Sequence, residues 1–226
     1  VTARIGVVVF PGTNCEHDVV TALEQLGADA TLLWHGQDSV GDVDAVVLPG
    51  GFAHGDYLRA GALARFSPVM SAVSAFAASG GPVVGICNGF QVLTEAGLLP
   101  GALHRNRGLR FICQPTTVVV AAETPVLTAG IPVGSRLVVP INHFVGSYVC
   151  HQRTLDELRA EDRVVLRYAE NPNGSVDDIA GVVNAGRNVV GLMPHPERAV
   201  DPLTGSTDGA ALLRVLIATA GATVAR

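Results

Sequence analysis

The sequence lacks any apolar run approaching the length of a bilayer crossing. Its longest, such as Ile5 to Phe10 and Val118 to Ala122, fall far short of the roughly 20 residues a transmembrane helix needs, so no membrane partner is expected. A secretory signal is not expected either, because Arg4 precedes only a short apolar run before Pro11-Gly12 breaks it. With a formal net charge of -5 and no Lys/Arg cluster interleaved with aromatics, the chain has no basic footprint for a phosphate backbone, which argues against a nucleic-acid partner. Cysteine is scarce. Cys15, Cys87, Cys113 and Cys150 form no C-x-x-C pair and no disulfide framework, a pattern of free thiols in a reducing, cytoplasmic compartment. There is no P-loop, metal motif, repeat, linker or low-complexity segment, so neither a cofactor nor a metal ligand is expected in this chain.

What is present is a chain of 226 residues, 48% hydrophobic, enough for one substantial core and hence a single domain spanning 1–226. Ile5 to Phe10 reads as a buried strand, and Ala30 to Trp34, Ala45 to Leu48 and Val83 to Ile86 as further strands, separated by helical or loop segments. Thr13-Asn-Cys-Glu16 and Thr154-Leu-Asp-Glu157 have the form of capping boxes. Pro68 to Ala78, Phe90 to Ala96 and Asp208 to Thr219 read as helices. Leu109 to Val139 reads as antiparallel additions to the sheet, Val164 to Tyr168 as a further strand, Asn171-Pro-Asn-Gly174 as a turn, and Ile179 to Val183 with Val189 to Met193 as a hairpin. Near-continuous apolar strands alternating with helices predict an α/β fold, an open, mostly parallel sheet with helices on both faces. Active sites in such sheets lie outside the carboxyl ends of the strands.

Three segments fall at such ends. Gly85-Ile-Cys87-Asn-Gly89 has the form of a nucleophile elbow with sulfur for oxygen, the glycines clearing a sharp strand-to-helix turn. Its thiol would sit at a helix N-terminus, where exposed N–H groups favour the reactive thiolate. In His195-Pro-Glu197 two flanking prolines stiffen the chain; an extended tripeptide would point His195 and Glu197 to one side, so that Glu197 orients the base that serves Cys87. Pro49-Gly-Gly-Phe52 is suited to an oxyanion hole, with the amides of Gly51 and Asn88 as the donors. Each segment alone has an ordinary reading, as a buried cysteine, a surface His–Glu pair or a glycine turn; together they describe acyl transfer.

The combination Pro49-Gly-Gly51, Gly85-Ile-Cys-Asn-Gly-Phe-Gln91 and Pro194-His-Pro-Glu197 resembles the class I, triad-type glutamine amidotransferases. Phe10-Pro-Gly-Thr-Asn-Cys15, Gly55-Asp-Tyr-Leu-Arg-Ala-Gly-Ala62, Asn171-Pro-Asn-Gly-Ser175 with Ile179-Ala-Gly181, and Met193-Pro-His-Pro-Glu-Arg198 resemble the branch that supplies ammonia in purine biosynthesis, across essentially the whole chain. The resemblance implies a flavodoxin-like sandwich in which Cys87 attacks the glutamine carboxamide, His195 shuttles protons and Glu197 orients it. Gln91 matches a glutamine-contacting position, and backbone groups at His143 and Phe144 would line the same site. It further implies two partners, a large synthetase subunit that uses ATP and magnesium to make formylglycinamidine ribonucleotide and a third small bridging subunit. ATP and magnesium would then belong to the synthetase.

The chain departs from the family at Ala53-His54, usually Ser-Tyr, and at Asn142-His-Phe-Val-Gly-Ser-Tyr148, usually Ala-His-Gly-Glu-Gly-Arg-Tyr. The second segment reads as a loop in which Val145 and Ser147 reflect an altered partner contact. Two other functions remain open. A Cys-His hydrolase of the α/β-hydrolase type would carry its acid between nucleophile and histidine, whereas here it follows the histidine. A catalytically silent regulatory subunit would be expected to lack a triad member, and none is missing.

Overall fold

A computed structural model of the chain describes residues 2–223; the ends of the expected span 1–226 lie outside the described residues. In chain order the elements are β1 (Arg4–Val9), α1 (Glu16–Gln25), β2 (Asp29–Trp34), β3 (Ala45–Leu48), α2 (Pro68–Ala78), β4 (Val83–Ile86), α3 (Asn88–Glu95), β5 (Ala102–Arg105), β6 (Ile112–Val120), β7 (Arg136–His143), β8 (Val145–Val149), α4 (Gln152–Ala160), β9 (Val164–Tyr168), β10 (Ile179–Val183), β11 (Val189–Leu192) and α5 (Gly209–Thr223). Nine strands form one sheet in the order β2-β1-β3-β4-β11-β10-β9-β6-β7, while β5 and β8 make a separate ribbon. From β2 to β11 all neighbours are parallel. The strands beyond β11 extend that edge in antiparallel fashion, β10 as the expected hairpin partner of β11 and β6 with the start of β7 as the Val- and Thr-rich middle of the chain predicts.

Every residue of β3, β4 and β11 is buried. That is why these strands read as unbroken apolar runs: helices cover both faces, so no position needs to be polar. The chain runs outward from β1 to β2 and in the opposite direction from β3 to β4; by the rule that such crossovers are right-handed, α1 and α2 belong on opposite faces. α1 and α5 pack together beside β1, and α3 lies over β3, β4 and β11. The strand order reverses between β1 and β3, so the loops leaving their carboxyl ends diverge around a crevice. Among the described residues no helix is long and apolar enough to cross a membrane, and all four cysteines are free thiols.

Both capping boxes are overturned. Thr13 is not an N-cap; its hydroxyl accepts from the Phe10 amide at 3.0 Å, while Thr13 pairs with Gly51 and the Cys15 amide donates to the Gly50 carbonyl at 3.3 Å. These bonds hold residues 13–15 against the β3 loop, so α1 starts only at Glu16, capped by Cys15 without a side-chain bond. Thr154 lies inside α4, which begins two residues earlier. The helix after the elbow likewise begins at Asn88, before the expected Phe90.

Candidate active site

Cys87 joins β4 to α3 with φ 51° and ψ -105°, a left-handed φ that a non-glycine residue adopts at a cost and that a nucleophile elbow requires. The flanking glycines have identifiable obstacles. A Cβ at Gly89 would sit 1.9 Å from the Leu48 carbonyl oxygen of β3, and one at Gly85 would meet the Gly89 carbonyl carbon at 2.7 Å. Only bare backbone lets α3 begin this close to the sheet. The Asn88 amide is the first of the helix and has no intrahelical acceptor, which leaves it available to an oxyanion. The buried Cys87 thiol donates to the Asn142 carbonyl at 3.7 Å.

His195 and Glu197 follow β11 and are 1% and 4% exposed. Their backbone is not the extended tripeptide expected from the prolines: Pro196–Arg198 forms a 3-10 turn, and His195, at φ -103° and ψ 86°, stands just before it. Proline restricts His195 as anticipated, but its fixed φ also suits the first position of a helical turn. The expected contact is nevertheless made. His195 Nδ1 donates to Glu197 Oε1 at 2.6 Å, and the His195 amide donates to the Pro140 carbonyl of β7 at 2.8 Å. Burial disfavours the imidazolium, but the Glu197 carboxylate and the Cys87 sulfur outweigh it and push the His195 pKa up to about 10. With Nδ1 occupied, Nε2 has no hydrogen-bond partner and is the nitrogen left for Cys87.

The β3 loop is latched to the β1 loop. The Phe52 amide donates to the Gly12 carbonyl at 2.9 Å, whereas no such bond engages the Gly51 amide. Gly51 has φ 143°, and a Cβ there would lie 2.7 Å from the Asn14 amide nitrogen. Asn88 Oδ1 accepts from the Ala53 amide at 3.0 Å, so the two proposed oxyanion donors belong to one hydrogen-bonded frame. Sequence reasoning missed Gly50. A Cβ there would meet His195 Cε1 at 2.7 Å, so this glycine makes room for the base rather than for the oxyanion.

The segment 142–148 is a correction. It is not a loop but the end of β7 and most of β8, and its residues point mainly inward. Ser147 is only 6% exposed, which removes its side chain as a partner contact. Gln91 Nε2 donates to the Val145 carbonyl at 2.6 Å and Gln91 Oε1 accepts from Asn88 Nδ2 at 2.7 Å, so this amide ties α3 to β8. His143 is buried beside His195 and its pKa is pushed down to about 4 by burial and by that neighbour, leaving it neutral. Asn106 donates its amide hydrogens to the carbonyls of Arg110 and His143, so its Oδ1 accepts from His143 Nδ1 at 3.0 Å. His143 Nε2 is then a bare, buried acceptor. Phe144 is half-buried, with the Arg105 guanidinium 5.9 Å from its ring centre.

The Asn171–Ser175 turn supports this segment from behind. Asn173 Nδ2 donates to the Gly146 carbonyl at 2.8 Å, and the Tyr148 amide donates to Ser175 Oγ at 3.0 Å. The turn was legible in the sequence; its bracing role was not, and Asn106 gave no signal at all. Ser147→Arg should cost about 2–4 kcal/mol by forcing a charge into a position that is only 6% exposed. A melting temperature unchanged from the parent would show that this face is open after all.

Comparison with known proteins agrees with this geometry. A model of the CobB/CobQ-like glutamine amidotransferase domain matches residues 2–210. Phosphoribosylformylglycinamidine synthase subunit PurQ of Rubrobacter xylanophilus is 58% identical over 216 residues, 95% of this chain and 98% of that protein. The PurQ subunit of Mycobacterium tuberculosis is 56% identical over 207 residues, 92% of each. The solved structure of PurLQS from Thermotoga maritima superposes with a TM-score of 0.89 at 40% identity, covering 96% of this chain and 99% of the matched one. A putative GMP synthase protein from Thermoplasma acidophilum, at 19% identity and a TM-score of 0.71 over 100% of this chain and 97% of its own, shares the fold. The chain belongs to the PurQ family of glutamine amidotransferases, subunits of phosphoribosylformylglycinamidine synthase.

Proposed function

We propose that this chain, acting as a single domain over 1–226, is the glutaminase subunit of a phosphoribosylformylglycinamidine synthase in the cytoplasm. The observation that carries the reading is the buried pair of His195 and Glu197, with His195 Nε2 unpartnered and Cys87 at the end of the adjacent parallel strand. In the reaction the Cys87 proton is held on His195 Nε2, as the raised His195 pKa favours, and the thiolate attacks the glutamine carboxamide carbon. The amides of Gly51 and Asn88 receive the oxyanion, each worth about 100- to 1,000-fold in rate. His195 then returns the proton to the departing ammonia as the C–N bond breaks. Water hydrolyses the remaining thioester by the same proton relay, releasing glutamate and restoring the thiol. Gln91 holds the β8 backbone in place beside the elbow, while His143 and Phe144 border the glutamine pocket.

Released ammonia passes to a large synthetase subunit, which holds ATP and magnesium and makes formylglycinamidine ribonucleotide; a third small subunit bridges the two. Phe52, Tyr57, Leu58 and Phe66 are exposed around and beyond the oxyanion loop, an apolar surface of the kind that partners cover. Docking there would act directly on the loop that carries Gly51. Glutamine hydrolysis measured with and without the synthetase tests the reading. The free chain should be slow and the complex faster, because uncoupled hydrolysis wastes glutamine and resting catalytic geometry tightens on assembly. A free chain already at the rate of the complex would refute gating, and no hydrolysis in either state would refute the glutaminase.

A further inference from the structure

The fold gathers a second thiol against the base and acid. One ligand atom each from Cys15, His195 and Glu197 all lie within 4.8 Å of one another, and all three residues are buried. We propose that Cys15, His195 and Glu197 form an inhibitory site for a thiophilic divalent cation such as zinc or cadmium. The donor set is one sulfur, one imidazole nitrogen and one carboxylate oxygen, which suits a tetrahedral ion with water in the fourth position. Shifts on the order of an ångström would bring the three atoms to bonding distance of a common centre.

A second observation points to the same place. Glu197 Oε2 is fully buried and has no hydrogen-bond partner, an acceptor desolvated without compensation. Glu197 also lines a cavity of about 500 Å³, together with Asp18, Arg198 and Asp201. The two aspartates make its wall attractive to a cation. The competing charge is Arg198, whose Nη2 donates to Cys15 Sγ at 3.0 Å while its Nε holds Asp18 at 3.1 Å. Rotation of the guanidinium onto Asp18 would uncover the sulfur without leaving the arginine unpaired.

The inhibition has a defined chemistry. As the metal–sulfur bond forms, the Cys15 proton leaves to solvent. As the metal takes His195 Nδ1, the Nδ1 proton leaves to solvent if the ring was doubly protonated, or moves to Nε2 if it was neutral. In both cases the ring, with Nδ1 on the metal, can give up its Nε2 proton only by becoming an imidazolate, so it no longer shuttles protons between Cys87, the departing ammonia and water. The metal therefore stops catalysis by taking the nitrogen that Glu197 orients, without touching the nucleophile.

The inhibitory consequence rests on the catalytic reading above; metal binding at the site does not. Cadmium is titrated into full-length Cys87→Ser/Cys113→Ser/Cys150→Ser protein, in which Cys15 is the sole thiol, and the ultraviolet thiolate-to-cadmium charge-transfer band is read. One equivalent should saturate the band, and adding Glu197→Gln or His195→Asn should weaken binding roughly tenfold or more. Affinity indifferent to both additions overturns the site. On the otherwise unaltered chain, Cys15→Ala should raise the zinc concentration for half-inhibition of glutamine hydrolysis at least about tenfold relative to its own zinc-free rate, with a chelator restoring the parent. Equal zinc sensitivity with and without Cys15 also overturns it. If the parent fails to hydrolyse glutamine at all, the catalytic reading fails and the cadmium titration alone decides the site.

Discussion

Cys87→Ser should lower glutamine-dependent synthesis by the assembled complex by about four orders of magnitude or more, while synthesis from added ammonia stays near the parent rate. Serine preserves the shape of the elbow, whose φ of 51° and glycine neighbours depend on the backbone and not on sulfur. What disappears is a nucleophile that ionises readily; a hydroxyl facing the same His195 is a far poorer attacker. The ammonia-using half-reaction takes place on the synthetase and needs only that the glutaminase subunit remain folded. Equal loss of both activities would contradict this division of labour. A diazoketone analogue of glutamine gives an independent measurement, since peptide mapping should find it on Cys87 in preference to Cys15, Cys113 and Cys150.

Gly89→Ala should be at least as damaging, through folding. The added methyl would fall 1.9 Å from the Leu48 carbonyl oxygen, a backbone atom of β3 that cannot rotate aside. β3 in turn is held to β4 through Val46–Val83, Val47–Val84 and Leu48–Gly85. To admit the methyl, α3 must lift off the sheet or the strands must part, at an expected cost of about 3 kcal/mol or more. For a chain of this size that lowers the melting temperature by about 6–12 °C. Gly97→Ala is the control. A Cβ at Gly97 would meet nothing within 4 Å, and only its positive φ of 72° opposes the change, at about 1–2 kcal/mol. Equal melting temperatures for the two variants would remove the steric account of the elbow.

The legible features of the sequence were those set by local sterics or by burial on both sides. Continuous apolar runs marked β3, β4 and β11, because a strand covered by helices has no polar face. Gly85 and Gly89 around Cys87 marked the elbow, because a sharp strand-to-helix turn excludes side chains at fixed offsets. His195 and Glu197 were paired correctly although the backbone conformation inferred for them was wrong: two residues beside proline cannot separate far, whether extended or in a 3-10 turn. Local signals failed where a distant segment competed for the same groups. Thr13 has the sequence of a helix cap, yet pairing with Gly51 outweighs it. Ser147 and Val145 read as loop residues, yet β5 pairs with β8 and carries Ser147 inside.

By itself, then, the sequence determined the parallel part of the sheet, the elbow at Cys87 and the meeting of His195 with Glu197, since each is written in residues close together along the chain. Only the tertiary structure decided that Gly50 makes room for His195, that Asn106 sets the tautomer of His143, and that Cys15 stands beside His195 and Glu197 some 180 residues away in sequence. Those contacts depend on which loops the parallel strand order brings to one end of the sheet, and no periodicity or short motif within a single segment encodes that meeting.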